Sequence, residues 1–401
     1  MLYILLLIKR FIEDIGMFPF IWWGRRMAAR KPLEDEYDLF FFFPFYHVGG
    51  AEKVNAEIVQ QFPGKRIIIF FTKHSQDEAL LHLFQAPNIT IRNIAPFADN
   101  KKKYYLSFIY RGLISAYINK QSIPPTVFNG QSNFGYKISR WINKGIPQVE
   151  LLHNFCNFSY IRLPFLQFYK RSITVSQRER DMNLAVYRKF GLPKSLEERF
   201  IVIGLAIHLP AMRELQNIHS PIKILYVGRG TAEKRPTIVA QVAERVHRSE
   251  PGIEFLFMGD VKDAIPLSLH KHVKLLGSIG DPKQVEEIYR SCNVLIIPSS
   301  RESGPLVFME GMAYAMAIIA SPVGIMPYHY QKMSYGLQLD TVHDIERIIA
   351  ETARQVLEWN ADPQQLKLIA SKNREYAYQH FGMDTFHQAY KDLINHIREL
   401  P

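Results

Sequence analysis

The stretch Arg301-Glu302-Ser303-Gly304-Pro305-Leu306-Val307-Phe308-Met309-Glu310 places two glutamates eight positions apart around a Gly-Pro step. Just before it, Val294-Leu295-Ile296-Ile297-Pro298-Ser299-Ser300 is an apolar run stopped by Pro and Ser, the pattern of a buried parallel strand entering a loop. Leu306 to Ala317 reads as a helix. Glu302 then falls in a strand-to-helix loop and Glu310 about a turn inside the helix. Backbone N–H groups at a helix start suit a phosphate or sugar oxygen. Two carboxylates beside them suit sugar hydroxyls, which donate well to ionised acceptors.

Upstream, the strand Ile224-Leu225-Tyr226-Val227 runs into Gly228-Arg229-Gly230-Thr231-Ala232-Glu233-Lys234. Arg229 offers a planar fork for phosphate oxygens and Lys234 a compact positive charge; the bland alternative is two solvated cations after a strand. The strands predicted in this half are Ile222 to Val227, Glu254 to Met258, Val273 to Leu276, Val294 to Ile297 and Ile318 to Ser321. The segment His208 to Ser220 has poor periodicity and reads as a linker.

From Tyr37 onward the first half alternates in the same way. Its strands are Asp38 to Pro44, Arg66 to Phe71, Ile89 to Ile94, Thr126 to Asn129, Pro147 to Leu152 and Ser172 to Ser176. Apolar strands separated by helical stretches imply parallel sheets covered on both faces. After the first strand, Phe45-Tyr46-His47-Val48-Gly49-Gly50-Ala51-Glu52-Lys53-Val54 opens a helix to about Gln61; Gly49 and Gly50 let the backbone approach a phosphate closely, or simply make a tight turn. Glu52 reads as a first-turn residue favoured by the helix dipole. His153 closes the strand ending at Leu152 and His47 sits beside the glycines; either is a candidate hydrogen-bonding group or a satisfied structural histidine. Near the C-terminus Phe381, Phe386, Tyr390, Leu393 and Ile397 fall on one helical face.

The 401 residues favour two or three domains, and 47% hydrophobic content supplies two cores. Cys156 and Cys292 are too few for a disulfide framework and lack metal-ligand spacing, which points to a reducing compartment. Cys292 reads as a small buried filler at a strand start. The net charge of +11 is concentrated: residues 101–200 hold 17 Lys+Arg against 5 Asp+Glu, whereas residues 201–401 hold 21 against 22. A basic excess confined to one stretch points to an anionic partner there. No RNP-type aromatic motif, zinc-finger spacing or helix-turn-helix signal accompanies it, so an anionic membrane surface is favoured over nucleic acid.

The N-terminal residues point the same way. Two apolar patches, Met1–Ile8 and Ile15–Trp23, are separated by Lys9-Arg10 and Glu13-Asp14 and followed by Arg25, Arg26, Arg30 and Lys31. Neither approaches the roughly 20 residues of a spanning helix, and no basic region precedes the first as in a cleaved signal peptide. Residues 1–32 suit an interfacial segment; a helix docked on the protein itself, or initiation at Met27, are the alternatives. Lys101-Lys102-Lys103-Tyr104-Tyr105 opens a further amphipathic helix that would add headgroup contacts or pack on its own sheet.

Taken together, Gly228 to Lys234, the Glu302/Glu310 stretch and the Gly49-Gly50-Ala51-Glu52 loop resemble the donor-binding signatures of glycosyltransferase family 4. The resemblance covers roughly residues 37–400 and is strongest over 222–325. It implies an α/β fold of the GT-B kind: two doubly wound Rossmann-like domains, 33–208 on the acceptor side and 209–374 binding the nucleotide sugar, with a donor cleft between them and residues 375–401 as a helix crossing back. It implies a retaining, metal-independent hexosyltransferase with no cofactor beyond its nucleotide-sugar donor, such as a UDP- or GDP-sugar.

By the same resemblance, Arg229 and Lys234 meet the diphosphate, Glu310 the ribose hydroxyls, and Glu302 and His153 the donor sugar. Ser303, Gly304, Leu306 and Val307 meet sugar and distal phosphate, while Pro305 has no N–H to donate. Gly259 and Gly277 border the base. Departures occur at Tyr328, where the family often has Glu, at Ile203-Gly204-Leu205-Ala206, and within Tyr314-Ala315-Met316-Ala317, where a family glycine is missing. The expected acceptor is a lipid-linked glycan or surface polysaccharide and the expected location cytoplasmic, peripheral on the inner face of the cell membrane. A catalytically inactive scaffold and a protein that only binds an anionic partner are the rivals.

Overall fold

The computed structural model describes residues 2–156, 158–215 and 217–399. Met1 of the first apolar patch and Leu400 and Pro401 of the last segment lie outside these residues. The chain divides into two units, residues 1–204 with 384–401, and residues 205–383.

The first unit holds seven parallel strands in the order β3-β2-β1-β4-β5-β6-β7: β1 Leu39–Phe43, β2 Ile67–Phe71, β3 Ile89–Asn93, β4 Thr126–Asn129, β5 Gln148–Leu152, β6 Arg171–Thr174 and β7 Phe200–Val202. The second holds six in the order β10-β9-β8-β11-β12-β13: β8 Lys223–Val227, β9 Glu254–Met258, β10 Lys274–Gly277, β11 Val294–Ile297, β12 Ala317–Ala320 and β13 Gly336–Gln338. Among helices of at least eight residues, the first unit has α1 Leu2–Arg30, α2 Gly50–Gln60, α3 Tyr105–Asn119 and α4 Gln177–Phe190. The second has α5 Pro236–Val246, α6 Pro282–Ser291, α7 Leu306–Ala313, α8 Ile345–Ala361 and α9 Pro363–His380, and α10 Met383–His396 follows.

Why the strands read as unbroken apolar runs is visible in the second unit. Ile224, Tyr226, Phe255, Phe257, Val294 and Ile296 fill one side of the sheet, with α5 and α8. Leu225, Leu256, Met258, Leu295 and Ile297 fill the other, with α7. Both faces are buried, so the period-two alternation separates two cores rather than core from solvent. In each sheet the order reverses between two neighbours, β1 and β4 in one and β8 and β11 in the other. At such a switch point the loops leaving the two strands diverge and open a crevice. The loops carrying Gly49 and Gly50, Arg229 and Lys234, and Glu302 leave β1, β8 and β11.

Three expectations are corrected. The helix beginning at Leu306 ends at Ala313, not Ala317, because Ala315 takes a left-handed backbone (φ +60) and β12 begins at Ala317. The glycine missing from the motif would have stood where that backbone favours one. Phe381 does not share a face with Phe386, Tyr390, Leu393 and Ile397. It packs in the second unit's core against Phe308, whereas α10 belongs with the first unit, where Tyr390 meets Phe128. The N-terminal patches are one helix, α1, unbroken through Met27 and containing Pro19.

Alpha1 docks on α3 by backbone contact. A Cβ added at Gly24 would lie 2.0 Å from the Ile109 carbonyl oxygen, and one at Gly112 would lie 2.1 Å from that of Ile21. Lys9-Arg10 and Glu13-Asp14 do not break the helix, because Arg10 and Asp14 turn inward. Asp14 takes Arg10 at 2.7 Å and Arg140 at 3.0 Å.

Candidate functional site

In the second unit, β8 ends at Val227 and the chain turns through Gly228, whose N–H bonds the Met258 carbonyl. Gly259 has φ +126, and a Cβ there would lie 2.0 Å from the Gly228 oxygen. Its N–H bonds the Gly277 carbonyl at 2.8 Å, and Gly277 has φ +70. The ends of β8, β9 and β10 are thus joined by bare backbone. Side chains at Gly259 would hold these strand ends apart.

The loop after β8 is held from within, since the Tyr226 hydroxyl donates to the Lys234 carbonyl at 3.2 Å. It is also tied to the loop after β11. The Ser300 N–H donates to the Glu233 carbonyl at 2.8 Å, and the Lys234 ammonium lies 2.5 Å from Oε1 of Glu302. Ser299 donates to the same oxygen at 2.8 Å. Behind Glu302 stands Gly324 (φ +60), where a Cβ would lie 2.7 Å from the Ser303 oxygen, and Leu205 fills the space beside Gly304.

Pro305 caps α7 without a side-chain hydrogen bond, and no acid lies in the helix's first turn. The first-turn N–H groups, Leu306 and Val307 among them, have no acceptor within the helix. Glu310 accepts from the Tyr289 hydroxyl at 2.7 Å. The carboxylate beside it and burial raise the Tyr289 phenol well above its usual range, burial contributing most, so Tyr289 remains a donor to Glu310. Tyr328, where the motif often carries an acid, lies half-exposed under the Lys332 ammonium.

Arg229, Lys234, Glu302, Ser303, Gly304 and Glu310 therefore lie on loops and a helix around one switch point, with Lys234 and Glu302 in direct contact. Such a crevice places fixed cations and backbone donors where negative charge can accumulate. Ser299 and Tyr289, which hold the two glutamates, were not foreseen, since a Ser after a strand and a Tyr in a helix carry no signal of their partners. Cys292 is buried at the start of β11, and burial pushes its thiol up to about 11, keeping it protonated.

In the first unit Gly49 caps α2 with extended backbone, and the Glu52 carboxylate folds back beneath it. Glu52 is buried, with His47 4.0 Å from it. His153 is half-buried beyond β5. Its Nε2 lies 2.9 Å from Oδ1 of Asn55, and its backbone N–H donates to the Gln131 side-chain oxygen at 3.0 Å. Burial pushes its pKa down to about 4, so the ring is neutral at pH 7. With Nε2–H donating to Asn55, Nδ1 is left as an acceptor. A neutral acceptor suits a sugar hydroxyl and not the charge of a phosphate. Arg162 is wholly buried 2.5 Å from Glu150 of β5.

One feature of this unit was missed from the sequence. A cavity of about 190 Å³ is lined by Lys73, Lys101, Tyr104, Arg111 and Lys137, together with Asp99. Arg111 is 1% exposed, its Nε has no hydrogen-bond partner, and burial pushes its pKa down to about 10. Burial raises the Tyr104 phenol, but Lys137 and Arg111 beside it outweigh that and hold it below its ordinary value. An arginine on the apolar face of the Phe108 to Leu113 helix was the available signal.

The match with known proteins falls where this geometry is densest. Residues 210–373 match the family model described as "Glycosyl transferases group 1". The chain is 21% identical over 348 residues to a D-inositol 3-phosphate glycosyltransferase of Thermobifida fusca, covering 75% of this chain and 80% of that one. It is 26% identical over 128 residues to the protein of the same name from Segniliparus rotundus, a match that spans only 28% of that relative's length. Among solved structures it resembles Anabaena HepE in complex with UDP, with a TM-score of 0.67 at 16% identity, covering 89% of this chain and 99% of the other. Sucrose-phosphate synthase from Thermosynechococcus elongatus gives the same TM-score at 16% identity, covering 90% and 99%. These likenesses establish the fold, two Rossmann-like α/β units of the GT-B kind.

Proposed function

We propose that this chain is a retaining glycosyltransferase that moves a hexose from a nucleotide sugar to a lipid-linked or cell-surface glycan acceptor, independently of metal. The observation that carries the reading is the pairing of Lys234 with Glu302 across the β8/β11 switch point, beside Arg229 and the uncapped start of α7. Arg229 and Lys234 stand where a departing diphosphate gathers charge, the task a cation performs in metal-dependent transfer. Glu302 and the N–H groups of Gly304, Leu306 and Val307 take the donor sugar and distal phosphate, Glu310 the ribose hydroxyls, and Gly259 and Gly277 border the base. In the first unit Gly49 and Gly50 offer backbone N–H groups suited to a phosphate, and His153 offers Nδ1 to a sugar hydroxyl.

In this scheme the bond from the anomeric carbon to the diphosphate oxygen breaks as the acceptor oxygen bonds the same face. The acceptor's proton passes to the leaving phosphate, so no protein nucleophile is required. HepE's UDP complex supports a nucleotide-sugar donor, and the two D-inositol 3-phosphate glycosyltransferases support glycosyl transfer. The cavity around Arg111 supports an acceptor with an anionic group, since among the described residues the buried guanidinium meets Tyr104, Ser107 and Met17 and no carboxylate, and its Nε is unpartnered. The work is placed at the cytoplasmic face of a membrane. Incubation of the purified protein with UDP-, GDP- and ADP-sugars tests the reading against the inactive-scaffold alternative: an enzyme releases the nucleotide from one of them, a scaffold from none.

A further inference from the structure

Alpha1 exposes an apolar stripe and buries two charges. Its inward stripe carries Arg10 and Asp14 together with Met17, Ile21 and Gly24, all buried. Its outward stripe is Leu5, Ile8, Ile12, Ile15, Phe18 and Trp22, each at least half exposed, with Ile12 at 63%. A helix on the surface of a protein in water shows the reverse arrangement, apolar side in and charges out. The inward charges are confined to Arg10 and Asp14, while the exposed apolar stripe keeps its three-and-four spacing from Leu5 to Trp22, roughly 26 Å at 1.5 Å per residue.

We infer that α1 lies flat in the surface of an anionic lipid bilayer, its outward stripe among the acyl chains and its inward stripe fixed to the protein. The docking on α3 through Gly24 and Gly112 holds the helix parallel to the surface of its unit. No described helix is long and apolar enough to cross a membrane. Charge decides between a bilayer and a second copy of the chain. Arg25, Arg26, Arg30 and Lys31 follow the aromatic end, where Arg26 lies over Trp22, and the sequence has no acid from Ile15 to Leu33.

Lys101, Lys102 and Lys103 are exposed on the same side, next to Tyr105, whose ring meets Phe20 of α1 at 6.4 Å. Two copies placed face to face would crowd these cations, since Glu13, the exposed acid of α1, already pairs with Lys9 and Arg10, while phosphate headgroups match them. A groove of about 320 Å³ between α1 and residues 164–168, walled by Ile8, Phe11 and Phe168, also presents Arg140 at the level of the apolar stripe. The inference deepens the membrane part of the proposed function and stands apart from its chemistry.

The test is flotation of the full chain with vesicles of phosphatidylcholine, with and without phosphatidylglycerol, alongside size exclusion. The wild type is expected to float with the anionic vesicles and to run as a monomer without them. Ile8→Glu/Ile12→Glu/Ile15→Glu, at exposed positions, should cut the bound fraction about tenfold or more while circular dichroism stays unchanged. Replacing Lys101, Lys102 and Lys103 by Gln should weaken binding several-fold and flatten its salt dependence. Leu267→Glu, at an 82% exposed site in the second unit, should bind as the wild type.

Equal flotation of the triple variant, equal binding to neutral and anionic vesicles, or no binding at all would overturn the inference. So would a dimer that the triple variant dissolves without any vesicle binding, which would give the face to a second copy. Nucleotide binding measured without vesicles reports the transferase reading separately, so the two can fail independently.

Discussion

The ammonium of Lys234 and the carboxylate of Glu302 are 2.5 Å apart, in a largely buried contact that also receives Ser299. The two residues come from loops 68 positions apart in the chain, so each orders the other's loop before any ligand arrives. Their effects should therefore be coupled. Lys234→Ala and Glu302→Ala should each lower turnover by about a hundredfold, and the double variant should lose less than the sum. Strict additivity in a double-mutant cycle would mean that the contact has no part in the reaction.

The Glu310 carboxylate accepts from the Tyr289 hydroxyl at 2.7 Å. Glu310→Ala should lower turnover by about a hundredfold without changing the melting temperature by more than a few degrees, as loss of one charged contact in a closed site costs roughly 3 kcal/mol. Tyr289→Phe should lose much less. Near-wild-type activity of purified Glu310→Ala would move the ribose contact elsewhere.

Ala315 carries the left-handed backbone between α7 and β12. That conformation costs an L-residue roughly 1–2 kcal/mol, part of which a glycine returns as lost entropy in the folded state. Ala315→Gly should raise stability by about 0.5 kcal/mol, and Ala315→Val should lower it. Denaturant midpoints for the three proteins would check the order.

Two histidines, His153 and His329, are pushed down to about 4, both chiefly by burial. Between pH 4 and the unfolded value near 6.5 the unfolded chain binds more protons than the native one, so stability rises with pH there. Falling pH should accordingly remove stability from about 6.5 downward until about 4. His153→Asn should flatten its share of that slope in urea titrations at several pH values, and an unchanged slope would show that His153 is not buried neutral.

Most strands were legible because burial on both faces turns them into apolar runs. Beta7 and β13 were not, being three-residue strands at sheet edges. Alpha1 was read as two patches because Lys9-Arg10 and Glu13-Asp14 look like a break; Asp14, paired with Arg10 and with Arg140 of another element, turns inward with Arg10, while Lys9 and Glu13 stay exposed. In the site, Arg229, Lys234, Glu302 and Glu310 were legible from spacing. Their holders Ser299 and Tyr289, and Asn55 for His153, depend on which rotamers meet across elements, which no local pattern encodes.

The central claim is that the crevice at the β8/β11 switch point binds and activates a nucleotide sugar through Arg229 and Lys234 rather than through a metal. It is tested most directly by measuring nucleotide release from UDP-, GDP- and ADP-sugars in EDTA, with wild type and Lys234→Ala side by side. One donor should be turned over in EDTA as fast as in Mg²⁺, and Lys234→Ala should lose about a hundredfold. No turnover of any donor, equal rates for the two proteins, or activity abolished by EDTA and restored by Mg²⁺ or Mn²⁺ would contradict it.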